Sequence, residues 1–234
     1  MTEPTTRVLT PRGTGATTTT AALLAEPPTV EALLALVDDP LIAAARGRAR
    51  RDALLGRQVR IVARPSMATP EVAAIVRAGV VRQLEQWPVA RGGLQHGDHV
   101  VIQVGTTPAE RERYVRWLHE LARHEPPRLG LAACSRTAAG LHPLWCLAVA
   151  RLCLPAQVSI EARHDLLGIR LAQIALGFGA DVLAGPIDPD RSLPLCGVTR
   201  PDENTASGLC TLIRHAGLHP VLDPPTPTTP KVSP

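Results

Sequence analysis

Among the residues that the predicted strand ends bring together, Glu161, Arg163 and His164 are the one close trio of titratable side chains. A carboxylate and an imidazole at this spacing can serve as general base and acid, and a guanidinium between them can hold an anion. They follow Gln157–Ile160, a β-type run, so they fall at the carboxyl end of a strand, where ligands gather in parallel α/β sheets. Other predicted strand ends bring Arg64, Ser66, Gly105, Thr106, Cys134, Ser135, Gly185 and Asp188 to the same side. Glu161 and His164 are the candidate catalytic pair. Gly105, Thr106, Ser135, Glu161, Arg163, His164 and Gly185 form the candidate ligand-binding set. The plainer account of the trio is an ion pair beside a helix-entry histidine.

Other reactive residues carry less. Cys134 next to Ser135 could be a nucleophile, but no activating base stands near it in sequence, which favours a packing thiol. His96-Gly97-Asp98-His99, His119 and His124 lack further ligands at compatible spacing, so no metal site is expected.

The elements that position these residues follow from periodicity and caps. After Gln157–Ile160 comes a helical pattern with Leu167, Leu171, Ile174, Ala175 and Phe178 on one face, a stop at Gly179, and a second β-type run from Asp181 to Ala184. This is a β-α-β unit, whose parallel strands need a right-handed crossover. Upstream, helices Val30–Leu36 and Leu41–Leu55 are broken at Asp38-Asp39-Pro40 and followed by a strand at Val59–Val62. A helix over Glu71–Gln86 follows Thr69-Pro70, then a strand at His99–Val104 and a helix Pro108–Arg123 capped by Thr107. A strand at Leu129–Ala133 and a helix at Pro143–Leu154 precede the β-α-β unit, and a closing helix lies within Leu209–Val221. The pattern gives one α/β domain over residues 29–222, between Thr- and Pro-rich tails at 1–28 and 223–234 that read as disordered.

Composition narrows the function. A chain of 234 residues, 45% hydrophobic, can bury one good core. Its net charge of +4 rests almost wholly on arginine, Lys231 being the one lysine, and only 2% of residues are aromatic. Nucleic-acid binding is therefore not expected, since stacking groups are scarce. The cluster Arg46, Arg48, Arg50 and Arg51 reads as a solvated helix face. No apolar run suits a membrane span and no signal pattern opens the chain. A cytoplasmic protein is expected, its five cysteines reduced because they are odd in number and without CxxC spacing.

The helix and turn containing Leu167, Gly168, Ala172, Gln173, Ala175, Leu176, Phe178, Gly179, Ala180 and Asp181, with Gly185 beyond, resemble the C-terminal part of the radical S-adenosylmethionine (SAM) enzymes of the futalosine route to menaquinone. These are aminofutalosine synthase and cyclic dehypoxanthinyl futalosine synthase. Leu212, Ile213, Arg214, Ala216, Gly217 and Pro220 resemble the same family's closing segment, and Asp38-Asp39-Pro40-Leu41 its helical lead-in. The resemblance spans about residues 30–222 with one internal gap, at the short linker Arg136–His142. It implies a bacterial protein with a truncated or partial (β/α) barrel of about five parallel strands. In the family a strand-end glycine pair admits SAM, and Gly105 matches one of them.

The family holds a 4Fe–4S cluster and SAM through C-x3-C-x2-C after the first barrel strand. Here that loop reads Ala63-Arg64-Pro65-Ser66-Met67-Ala68-Thr69-Pro70, without cysteine, so no cofactor is expected. The sequence thus points to a degenerate, non-catalytic relative whose cut-open barrel needs a partner, either a full-length radical SAM paralogue or a second copy in a homodimer. The alternative is a radical-independent enzyme or binding protein for a small anionic metabolite, using Glu161, Arg163 and His164.

Overall fold

The computed structural model describes residues 27–87, 93–135, 140–190 and 203–223; the two predicted tails fall almost entirely outside them, as does Cys196. In chain order the elements are α1 (Val30–Ala35), α2 (Pro40–Leu55), β1 (Gln58–Ala63), β2 (Ala73–Arg77), β3 (Val80–Leu84) and β4 (His99–Gln103). Then come α3 (Pro108–Arg123), β5 (Leu129–Cys134), α4 (His142–Cys153), β6 (Val158–Arg163), α5 (His164–Leu167) and α6 (Ile169–Leu176). β7 (Val182–Gly185), α7 (Ala206–His215) and β8 (His219–Leu222) complete the chain. The strands form one eight-stranded sheet in the order β3-β2-β4-β5-β6-β7-β1-β8. β4, β5, β6, β7, β1 and β8 run parallel, and β2 and β3 are antiparallel at one edge. The fold is mixed α/β with a mostly parallel open sheet; the described strands do not close into a barrel.

Two expectations are corrected. The predicted helix Glu71–Gln86 is the hairpin β2–β3, with Arg77 opposite Val80 and the two-residue turn Ala78-Gly79 between them. Both turn residues have positive φ, 49° and 80°, the combination of a type I′ turn that matches strand twist. β-Branched Val72, Ile75, Val76, Val80 and Val81 outweigh the capping signal at Thr69-Pro70. Second, the closing helix stops at His215, and His219–Leu222 pairs with β1 as an eighth strand. These two changes raise the strand count above the five expected. Because Ala78 carries a left-handed conformation that glycine and asparagine adopt more readily, Ala78→Asn should stabilise the protein by about 0.5–1 kcal/mol. Chemical denaturation at constant m-value would measure it; a loss of stability would rule out strain at the turn.

The two faces of the sheet differ. Val59, Ile61, Val100, Ile102, Leu131, Val158, Ile160 and Leu183 meet α2, α3, α4, α6 and α7 in one large apolar core. α4 is buried along its whole length, as a helix sandwiched between α2 and the sheet must be. α3 begins with a capping box in which Thr107 and Glu110 satisfy each other's end groups. The opposite face is polar at alternate positions: Arg60 on β1, His99 on β4, and Ser159, Glu161 and Arg163 on β6. Arg64, just beyond β1, extends the same row, its N–H donating to the Gly185 carbonyl at 2.8 Å. No described helix is long and apolar enough to cross a membrane.

Candidate functional site

The polar row forms a connected ion network. Arg64 binds Glu161 in a two-pronged pair, Nη2 to Oε1 at 2.5 Å and Nε to Oε2 at 3.2 Å. His99 Nδ1 lies 3.0 Å from Glu161 Oε2, within ion-pair distance though out of line for a straight hydrogen bond. On its other side His99 Nε2 is 3.1 Å from Arg163 Nη1. A guanidinium can only donate, so Nε2 accepts and the ring proton sits on Nδ1, facing the carboxylate. Arg163 then grips Asp165, Nε to Oδ1 at 2.9 Å and Nη2 to Oδ2 at 2.6 Å, and donates to the Pro65 carbonyl at 2.7 Å.

Glu161, His99 and Arg163 are all essentially inaccessible. Gly130 makes room for the centre of this network: a Cβ there would overlap Glu161 Oε1. Burial alone would raise the Glu161 carboxyl. His99 and the Arg64 guanidinium more than offset it and hold its pKa well below the usual carboxylate range. Such a carboxylate is a poor proton acceptor near neutral pH.

Above the network, toward the carboxyl ends of the strands, Met67 packs with Val101, Ala132, Cys134 and Leu166 in a small apolar plug. The Met67 N–H points at Asp165 Oδ2, 3.4 Å away. The loop after β1 is therefore fastened to the sheet by Arg64, by Pro65 through Arg163, and by Met67. The space where a carboxyl-end ligand would enter between β1, β5 and β6 is occupied by the protein's own side chains.

The predicted site residues do not form one cleft. Glu161 and Arg163 share the network. His164 turns away, its ring lying over Gly185, whose φ of 146° and lack of a side chain permit the approach. Burial, with Arg163 nearby, pushes the His164 pKa down against the pull of Asp165 and Asp188, and Nε2 has no hydrogen-bond partner among the described residues. Gly105 and Thr106 line a separate recess of about 340 Å³ with Trp87, Gln103 and Arg113. There the Glu110 carboxylate of the capping box fills the space beside the Gly105 Cα, which accounts for the glycine locally. Ser135 is buried at the end of β5. His99, Asp165, Arg60 and Ser159 are network or face residues that sequence reasoning left out. Their signal was the period-two run of polar residues at Arg60/Arg64, Ser159/Glu161/Arg163 and His99.

The described cysteines do not fit an iron–sulfur cluster. The loop after β1 has no thiol, and Cys134 lies in the apolar plug with its Sγ 3.5 Å from the Ile102 carbonyl. Cys146 and Cys153 are buried on α4 in the main core. Burial pushes the Cys134 and Cys153 thiols up to about 12, opposite to what a thiolate ligand requires. Among the described residues no group of three or more His, Cys, Asp or Glu converges on a metal position.

The residues that carry the family resemblance have structural roles. Asp181 Oδ1 accepts from the Ile160 N–H at 2.7 Å and pairs with buried Arg151. Arg151 and Arg51 also donate to the carbonyls of Gly179 and Leu176, which pins the Leu176–Asp181 turn to α2 and α4. Gly179 and Gly47 let that turn touch α2 backbone to backbone. Gln173 Nε2 donates to the Leu212 carbonyl at 3.0 Å, joining α6 to α7.

Among solved structures, the chain is similar to the crystal structure of methylornithine synthase (PylB), at a TM-score of 0.47 and 12% identity, covering 88% of this chain and 95% of that one. No family model and no curated protein matches the sequence.

Proposed function

We propose that this chain is a cluster-free, non-catalytic relative of the radical SAM barrels that works as a partner or scaffold subunit. One observation carries the reading. The loop after β1, where such enzymes hold their cluster, has no thiol, and it is fastened down by Arg64 on Glu161, Arg163 on the Pro65 carbonyl, and Met67 in the plug. The resemblance of residues 167–181 and 212–220 supports a narrower version, a partner of the futalosine-route enzymes of menaquinone synthesis. Among the described residues β3 and β8 are the outer strands of the sheet, which supports association, because unpaired strand edges invite pairing unless covered. On β8, Leu222 is 56% exposed. A hydrolytic or acid–base role for Glu161 and His164 is less well supported, since the first is held ionised beside the Arg64 guanidinium and the second faces Gly185.

The test is anaerobic reconstitution of the full chain with iron, sulfide and SAM, followed by metal and sulfide analysis and an absorption spectrum. The expected result is no stoichiometric cluster and no reductive cleavage of SAM. A reducible, SAM-sensitive cluster near one per chain would overturn the proposal. For the narrower version, a strain lacking the chain should contain less menaquinone, and an unchanged content would remove the pathway link.

A further inference from the structure

The open face of the sheet has a mouth at the opposite end from the plug. A cavity of about 560 Å³ lies across the amino ends of β1, β4, β5, β6 and β7, within the size range of small-molecule sites. Arg60, Arg64, Arg128, His96, Gln157 and Ser159 line it, together with three carboxylates.

The balance of donors and acceptors there is uneven. Each lining carboxylate already holds its own cation. Asp98 takes Arg77 at 2.7 and 2.8 Å as well as the Gln95 N–H, Glu161 takes Arg64 at both oxygens, and Asp181 takes Arg151. The cationic side keeps spare donors. Among the described residues Arg64 reaches Glu161 through Nε and Nη2 and leaves Nη1 unused, and the exposed Arg128 side chain has no partner. Arg60 is anchored by Ser159 Oγ at 2.5 Å and by Asp223 at 3.1 Å, which fixes its guanidinium at the cavity wall.

We infer that this amino-end cavity is a binding site for a compact dianion, a phosphate monoester or small dicarboxylate, held by Arg64, Arg128 and Arg60. Guanidinium groups suit such oxyanions because their N–H donors match a pair of oxygens. Two lining groups add to the fit. Gly130 removes a side chain that would narrow the floor, and the Ser159 hydroxyl offers a neutral polar contact beside Arg60. The site lies beneath the ion network rather than above it, so its occupancy bears on Arg64 directly and leaves the loop after β1 in place. It is independent of the cluster question: a chain that assembled iron could still bind an anion here, and one that did not could still fail to.

The test uses the ¹⁵N-labelled full chain in a phosphate-free buffer of low ionic strength at pH 7.5, titrated with inorganic phosphate and, in parallel, succinate. Saturable amide shifts centred on Gly97, Gly130 and Ser159 are expected, and the tighter of the two probes assigns the phosphoryl or carboxylate class. Arg128→Ala removes an exposed side chain, and Ala156→Glu places a carboxylate on the exposed rim, so neither disturbs the core. Each should weaken the preferred anion about tenfold, the scale of one charge-assisted hydrogen bond. Absence of saturable shifts, shifts centred on another surface, or unchanged affinity in either variant overturns the inference.

Discussion

Glu161→Gln should cost about 3–5 kcal/mol of stability, lowering the midpoint of thermal unfolding by on the order of 10 °C for a domain of this size. The substitution keeps shape and removes charge. It leaves the Arg64 guanidinium facing a neutral amide across the buried Glu161 position, and loss of a buried charge's compensating partner is what makes breaking such a pair expensive. The pH dependence carries a second, independent signature. The folded pKa of Glu161 is depressed, so its stabilising contribution is complete above the unfolded carboxylate pKa and is lost as pH falls through the range below it. In that acid range the unfolded chain binds more protons than the folded one, and wild-type stability rises with pH. The variant should lose up to one proton's share of that slope, about 1.4 kcal/mol per pH unit. Urea unfolding at several values from pH 3 to pH 7 would measure both effects. Equal slopes and a loss below about 1 kcal/mol would show that the network contributes nothing net.

Asp181→Ala should be comparably damaging, by about 3–5 kcal/mol, since Arg151 is fully buried and would lose its carboxylate partner. The Ile160 N–H would lose its acceptor as well. Burial raises the Asp181 pKa while Arg151 and the Ile160 N–H oppose it, so part of the pairing energy already goes to offsetting desolvation. The informative variant is therefore the double one. With Arg151→Met added, the stranded charge disappears, and the pair of changes should cost less than the sum of the single ones by more than about 1 kcal/mol. Strict additivity in that cycle would mean that Arg151 acts through the Gly179 and Val158 carbonyls and not through Asp181.

The parallel part of the fold was legible because its signals are local. Thr107, Pro108 and Glu110 mark a capped helix, and Leu167 to Phe178 carry the helical period that α6 displays. The hairpin was misread because Thr69-Pro70-Glu71 is a sound helix start, while the decisive feature, two residues at positive φ in Ala78-Gly79, involves an alanine that seldom adopts it. β8 was absorbed into a helix because four residues are too few for periodicity to speak, and its stability comes from pairing with a strand far back in the chain. At the site, Glu161 and Arg163 were identified as chemically notable and Arg64 was placed at the same strand ends, but the pairing of Arg64 with Glu161 and the roles of His99 and Asp165 were not. Arg64 is 97 residues from Glu161 and His99 is 64 from Arg163, and only the strand order brings them together. His164 was grouped with them by sequence adjacency, whereas the change from strand to helix at that residue points it elsewhere.

The strand order also sets a timetable. β1 is made well before its neighbours β7 and β8. At ordinary translation speeds the ribosome needs roughly ten seconds to pass from one to the other. Throughout that interval β4, β5 and β6 can assemble as a growing sheet while β1, with apolar Val59 and Ile61, waits with both edges bare. The newborn chain thus passes through a stage in which its first strand is an adhesive ribbon, and the cell's holding chaperones have their natural purchase there.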